Sequence, residues 1–559
     1  MTTIKQKLPI GISDFKKLIE GNYYYIDKSL LIKELLDGGT EATLIPRPRR
    51  FGKTLNLSML RYFFEKTKQS NAHLFKDLEI AKHDSCMAGQ GQYPVIFLTF
   101  KDVKVSNWNE CWNTLKTLII EECQRHRYVL EGDILDEHQK NTFKELLNQN
   151  AQTNIYANML KNLSDILTHY YSKKTIILID EYDAPIHAGY LNNYYKDVIE
   201  FMRNFLSGGL KDNSHLEFAV LSGILRVSRE SIFSGLNNLE VCSMLSHAYD
   251  EKFGLVQEEV EAILKQYQPT CNINDIRAWY DGYNIGIAKI YNPWSILNFA
   301  KTGRLEPHWV NTSDNAIIQS IIANGSVDFK EDVEKLMSWK KLTKPINENI
   351  IFQEVDVSSN ALWNFLFFTG YLTVNNICTK NFVMYADFFI PNNEIMSLYN
   401  SIIIEWFAQN VSLKNYQQML TQLTNANTTE FKKIFKQFTQ QSLSFFDVGG
   451  SEPEKFYHAL VLGMLVSLHD THAIKSNRES GLGRYDVMLI PHDKNKCGII
   501  IEFKKIDVDE NETLTTAAQN ALKQIEDKKY ATELEQLGIT RILKLAIIFE
   551  GKETLVVEG

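Results

Sequence analysis

KKTIILIDEYD, residues 173–183, opens on two lysines, runs through apolar and β-favouring residues, and ends in a cluster of acids. A short continuous apolar run bounded by charge reads as a strand buried on both faces, as in a parallel sheet covered by helices. Asp180 and Glu181 then stand at the carboxyl end of that strand, where open α/β sheets bind ligands. To either side of it, VIFLTF (95–100) and LEFAVLSG (216–223) read the same way. Thr43-Leu44-Ile45 is a shorter strand that leads into RPRRFGKT (47–54) and then into a helical segment, LNLSMLRYFFEKT. Strands alternating with helices predict an α/β fold with a parallel sheet.

A phosphate-binding loop needs backbone N–H groups curled around the anion, a lysine that reaches the β and γ oxygens, and a hydroxyl for Mg²⁺. Gly52-Lys53-Thr54 supplies the end of such a loop at a strand-to-helix junction, where the helix N-terminus favours anions. The usual first glycine falls at Arg47, and Pro48 removes a further N–H donor. The second acidic element compensates for that weakness. Asp180 is placed to hold Mg²⁺ and Glu181 to orient or deprotonate the attacking water. Ser222, at the end of the next strand, is a candidate sensor of the γ-phosphate. Arg226 is a candidate for stabilising transition-state charge, and Arg49 and Arg50 for pairing with phosphates. Surface or capping roles are the bland alternative for these four. Asp183 reads as a third acid or as a cap for the segment after it.

The bulk numbers bound the rest. At 559 residues the chain is too long for one core and predicts several domains. We expect a P-loop ATPase domain over 1–250, a lid-like or helical extension over 251–335, a mainly helical or winged-helix-like connector over 336–448, and a final α/β domain over 449–559. Gly449-Gly450-Ser451 is the hinge expected before it. With 60 Lys+Arg against 68 Asp+Glu, a wholly basic nucleic-acid binder is excluded, but a local basic groove is not. The seven cysteines show no C-x-x-C spacing, which argues against zinc or a disulfide framework and for a reducing, cytoplasmic setting. No apolar run reaches the length of a transmembrane helix. Aromatics such as Trp279, Tyr280, Tyr283 and Trp294 read as core before they read as a stacking surface.

The last domain carries a second chemistry. EKFYHALVLGMLVSLH predicts a helix, RYDVMLIP and CGIIIEFKK a hairpin, TTAAQNALKQIEDKKY a helix, and ILKLAIIFE a strand. Metal-dependent phosphodiester cleavage needs carboxylates converging on one cation and a group that polarises water. Glu502 and Lys504 are two apart on one strand, so they face the same way. Asp486 lies on the neighbouring strand. Asp486 and Glu502 are therefore the expected metal ligands, with the carbonyl of Phe503 as a further one, and Lys504 the expected water-positioning group. A surface ion pair between Glu502 and Lys504 is the alternative.

Several stretches carry a resemblance. LPIGISDFKKLIEGNYYYIDKS, RPRRFGKT, LIDEYDAPI, GILRVSRESIFSGLNNL, WYDGY and YNPWSILNF resemble the bacterial AAA-ATPase-like family, over roughly residues 6–315. In that family an arginine-rich loop stands where the first P-loop glycine would be, so Arg47 is a family trait. The resemblance implies ATP binding by Lys53 and Thr54, and metal or hydrolytic roles for Asp180 and Glu181. EKFYHALVLGML, SNRESGLGRYDVMLIP, GIIIEFKK and ALKQIEDKKY resemble the PD-(D/E)XK nuclease module, a restriction-endonuclease-like α/β fold. That match implies Glu454 as an auxiliary metal ligand, Gln524 as a support, and Glu479 and Arg484 as groups orienting Asp486 or contacting phosphate.

Together these features point to an ATP-binding and ATP-hydrolysing protein with a nuclease acting on nucleic acid, DNA first, with ATP and Mg²⁺ (or Mn²⁺) as cofactors. Lys504, Lys505, Arg478, Arg484, Lys523, Lys528 and Lys529 offer a basic approach to phosphates. No membrane partner is expected, and a homo-oligomer is the assembly suggested by AAA-like proteins. Two rival readings stand beside it. One is a nucleotide switch whose nuclease fold only binds; the other is a P-loop that binds ATP without turning it over.

Overall fold

The computed structural model describes the chain apart from residues 1–4, 132–133, 150, 227–236, 311–317, 319–326, 338, 349–358, 409–412, 444–464, 466–467, 469–470, 481–482, 507–512 and 551–552. It divides into two compact units, residues 1–313 with 343–394, and residues 314–342 with 395–559.

The first unit is built on a five-stranded parallel sheet. Its strands are β1 (Ala42–Pro46), β2 (Val95–Thr99), β3 (Thr175–Asp180), β4 (Leu216–Gly223) and β5 (Leu239–Val241), in the order β2-β3-β4-β1-β5. β3 is buried along its whole length. Ile176 and Leu178 pack with Leu57, Leu60 and Phe64 of the helix Lys53–Phe64, and Ile177 and Ile179 alternate to the opposite face. The register sets Thr99 beside Asp180 and Ile45 beside Ser222, so the strand ends form one rim.

The same unit holds a hairpin of β6 (Tyr283–Ile285) and β7 (Ala288–Ile290). It also holds part of a sheet in the order β8-β10-β9, formed by β8 (Leu342–Pro345), β9 (Thr373–Lys380) and β10 (Val383–Phe389). The region expected to be mainly helical, with extended pieces near TGYLTV and FVMYADFFIP, supplies the helices Ser359–Phe368, Asn393–Ala408, Leu413–Thr424 and Thr428–Leu443, and its extended pieces are β9 and β10.

Glu394 ties this region together. Its carboxylate is buried and accepts from the Trp309 N–H at 2.6 Å and from Ser295 Oγ at 2.7 Å. Burial pushes its pKa up to about 7 against the pull of these hydrogen bonds. Between about 4.5 and 7 the folded chain therefore keeps a proton that the unfolded chain has lost. Stability is expected to fall through that window as pH rises, by on the order of 3 kcal/mol, and to level off above it. Denaturant midpoints measured from about pH 4.5 to 8 check this. In Glu394→Gln the part of the slope due to this group disappears.

The second unit carries a mixed sheet in the order β11-β12-β13-β14-β15: His472–Ser480, Gly483–Pro491, Gly498–Lys505, Ile542–Glu550 and Glu553–Glu558. Only β13 and β14 run parallel, and the helix Leu514–Asp527 lies between them in the chain. One face of the sheet, with Val487, Leu489, Ile499, Ile501, Phe503, Leu545 and Ile547, packs on Met419, Leu423, Phe431 and Phe435. The other face is covered by Ala517, Ala518, Ala521 and Ile525 of Leu514–Asp527. No described helix is long and apolar enough to cross a membrane. All seven cysteines are free thiols.

Candidate active sites

In the first unit the chain leaves β1 through the loop 47–52. Arg50 (φ +69°) and Gly52 (φ +85°) are both left-handed there, the alternation that turns backbone N–H groups inward and suits an anion. A Cβ at Gly52 would meet nothing within 4 Å, so the glycine is required by its φ rather than by crowding. The buried Lys53 reaches back across the loop, donating to the carbonyls of Arg47 and Pro48 at 2.9 Å each. Burial lowers its pKa, while Glu181, Asp180 and Asp183 pull it upward.

Asp180 is the centre of the rim. It is fully buried and accepts from Thr54 Oγ1 (2.7 Å) and Thr99 Oγ1 (3.3 Å) on Oδ2, and from Ser222 Oγ (2.6 Å) on Oδ1. The ends of β2, β3 and β4 and the first turn of the helix after β1 therefore meet on one carboxylate. The hydroxyl of Thr54 beside an aspartate is the donor pair that a Mg²⁺-nucleotide uses, so these residues fit the ion. Glu181 follows in a left-handed conformation (φ +51°), and burial lowers the pKa of both Lys53 and Arg50 while the nearby Glu181 charge opposes it.

Ser222 directs its hydroxyl at Asp180 rather than at the loop. Arg50 lies over the ring of Trp294, 4.2 Å from its centroid. Burial lowers the pKa of both Lys53 and His187, and the Arg49 charge is close enough to each to add to it. Arg226 is half-buried just beyond β4. Arg47, at the position of the missing glycine, is fully buried. It donates to the carbonyls of Pro46, Cys242, Ala248 and Tyr249 at 2.7–3.5 Å. Asp183 does not cap the helix Ala184–Leu191 with its side chain; it accepts from the N–H groups of Ile224 and Leu225. Sequence reading missed Thr99, although its place at the end of a buried strand was a usable signal.

In the second unit, β12 and β13 pair with Val487 opposite Ile501, and Asp486 and Glu502 lie one step further along. Asp486 Oδ2 accepts from the Phe503 N–H at 2.8 Å, which fixes one acid to the strand carrying the other. Alternation puts Ile500, Glu502 and Lys504 on the face covered by Leu514–Asp527, and Phe503 on the opposite one. Gln524 of that helix donates to Glu502 Oε1, and to the Tyr530 hydroxyl at 3.2 Å. Glu502 is 2% exposed, and its Oε2 has no hydrogen-bond partner among the described residues. Burial raises its pKa, and the charge of Asp486 adds to this, while Lys504 and Gln524 pull it down.

A buried carboxylate oxygen without a donor, beside a second carboxylate, fits a divalent cation that neutralises both. Among the described residues no group of three or more His, Cys, Asp or Glu side chains offers a larger ligand set. Glu454 lies outside the described residues, as do the side chains of Glu479 and Arg484. Tyr530 was not singled out from sequence, and a lone tyrosine after a helix gave no signal for it.

Comparisons with known proteins fall on the same two regions. Residues 9–233 match the family model described as predicted AAA-ATPase, and residues 452–559 match that of the PD-(D/E)XK nuclease superfamily. A protein of Azotobacter chroococcum mcd 1, described as "Uncharacterized protein in vnfD 5'region", is 27% identical over 548 residues. The alignment covers 96% of this chain and 95% of that protein. The chain thus carries a predicted AAA-ATPase domain over residues 9–233 and a PD-(D/E)XK nuclease superfamily domain over residues 452–559.

Proposed function

We propose that this protein binds and hydrolyses ATP in its first unit and cleaves DNA with a divalent metal in its second. The observation that carries the nuclease reading is the buried Glu502 Oε2, without a donor among the described residues, on the same face as Asp486 and Lys504. Asp486 and Glu502 hold Mg²⁺ or Mn²⁺, which when bound acidifies water and polarises the phosphate. Lys504 supplies a positive charge two residues along the strand, where it orients the attacking water and stabilises charge developing on the phosphate. Gln524 keeps Glu502 in one orientation, and the Phe503 N–H does the same for Asp486.

In the first unit, the inward N–H groups of residues 50–52 and the Lys53 ammonium receive the phosphates. Thr54 and Asp180 hold the accompanying Mg²⁺, and Glu181 orients the hydrolytic water. Glu181→Gln is expected to bind ATP as the wild type does and to lose about 100-fold or more in turnover. Phosphate release together with a fluorescent-nucleotide titration checks this. Equal turnover in the two proteins would leave ATP binding without Glu181-dependent hydrolysis.

A further inference from the structure

The β9–β10 hairpin ends in a two-residue turn, Asn381-Phe382, closed by the pairing of Lys380 with Val383. Both turn residues are left-handed, with φ +48° and +64°. Such turns favour Asn-Gly, and a bulky side chain at the second position is strained. Phe382 is nevertheless there, and its side chain is fully exposed. It therefore carries two costs, a strained backbone and a solvated ring, with no burial within its own unit to offset either. Strain of this kind, observed and uncompensated, points to use.

The surroundings share the pattern. Residues 375–384 are exposed on both faces of the hairpin, including Ile377, Val383 and Met384. This stretch contains no acid and one lysine, Lys380. The hairpin's acid, Asp387, is buried and accepts from Thr343 Oγ1 and Asn376 Nδ2. β8, which neighbours β10 and is followed by Ile346, whose N–H bonds the Met384 carbonyl, contributes Lys344 and is preceded in the chain by Lys340-Lys341.

We propose that the tip of this hairpin binds single-stranded DNA, with the Phe382 ring stacked on an unpaired base and Lys380 and Lys344 against its phosphates. This rests on the reading of the protein as a nuclease. The acid-free stretch 375–384 with its Lys380 complements a polyanion, Glu348 two residues past Ile346 being held by the Ser243 hydroxyl, and an exposed flat ring finds a partner face where bases are unstacked, so a single strand is favoured over a duplex.

The test is fluorescence anisotropy of a labelled single-stranded oligonucleotide, and of its duplex, with the full chain in EDTA over a range of salt. Phe382→Asn is expected to weaken single-strand binding about tenfold. Its melting temperature should stay unchanged or rise, because asparagine tolerates the turn. Phe382→Trp should keep the affinity, and Lys380→Glu should weaken binding and flatten its salt dependence. If the wild type binds DNA and Phe382→Asn binds it equally well, the hairpin proposal is overturned and the nuclease reading stands. If the wild type binds neither strand form in EDTA, the hairpin proposal is overturned, and cleavage with added metal decides the nuclease reading separately. If Phe382→Asn alters only self-association in sedimentation, the tip is a protein contact and the proposal is again overturned.

Discussion

Arg47→Gly is expected to destabilise the first unit by on the order of 3 kcal/mol and not to tighten ATP binding, although it restores the residue type that a phosphate-binding loop ordinarily has there. The guanidinium is fully buried and donates to four carbonyls, which tie the end of β1 to the segment 242–249. Burial lowers its pKa to about 10, with Cys242 and Asp250 acting in the opposite sense, so it remains charged at neutral pH. Its charge also lies 5.4 Å from the centroid of Phe253. Removing the side chain leaves buried carbonyls without donors and a cavity the size of an arginine. Each effect alone costs about 1 kcal/mol or more. Lys53, which is anchored on the carbonyls of Arg47 and Pro48, would lose its frame as well. Denaturant unfolding followed by tryptophan fluorescence measures the loss. An unchanged midpoint with tighter nucleotide binding would mean that Arg47 obstructs the loop rather than builds it.

The second large effect is on cleavage. Lys504→Ala and Asp486→Asn are each expected to lower metal-dependent DNA cleavage by on the order of 100- to 1000-fold while leaving ATP binding unchanged. Lys504 opposes the burial and the Asp486 charge that make ionised Glu502 costly. Its removal therefore takes away both a charge beside the phosphate and a partner that keeps Glu502 ionised. Asp486→Asn removes a metal ligand, while its amide oxygen can still accept from the Phe503 N–H. Folding is expected to survive both changes, since Lys504 is only half-buried and the apolar face of the sheet is untouched. Equal losses in ATP binding would point instead to general misfolding.

How much of this was legible in the sequence depends on how each residue is used. The central strands announced themselves because both of their faces are buried, which demands unbroken apolar runs such as IILI (176–179). Thr54 and Asp180 were singled out separately, from a motif and a strand end 126 residues apart, and the fold joins them by a hydrogen bond. The facing of Glu502 with Asp486 came from alternation and one hairpin register. β5, β11 and β15 were not read. Each lies at the edge of its sheet, and β11, HAIKSNRES, is mostly polar, so no periodicity marked it. Arg47 and Asp183 were visible as charges, but, apart from the adjacent Pro46 carbonyl, their partners are main-chain groups at 195–202 and 41–42 residues' distance. Backbone donors and acceptors have no sequence signature, so Arg47 could be read as a family trait of the loop but not as an anchor of main-chain carbonyls. The tip at Phe382 was equally silent, because exposure of an aromatic is a property of the fold.

The nuclease reading stands or falls on whether the acids of β12 and β13 gather a divalent ion for phosphodiester cleavage. It is tested most directly by the rate at which the purified full chain cuts single- and double-stranded DNA as Mg²⁺ or Mn²⁺ is titrated in. No cutting is expected in EDTA, a saturable rise is expected with metal, and no such rise is expected in Lys504→Ala. Metal-independent cutting, or a metal response identical in the variant, would contradict it.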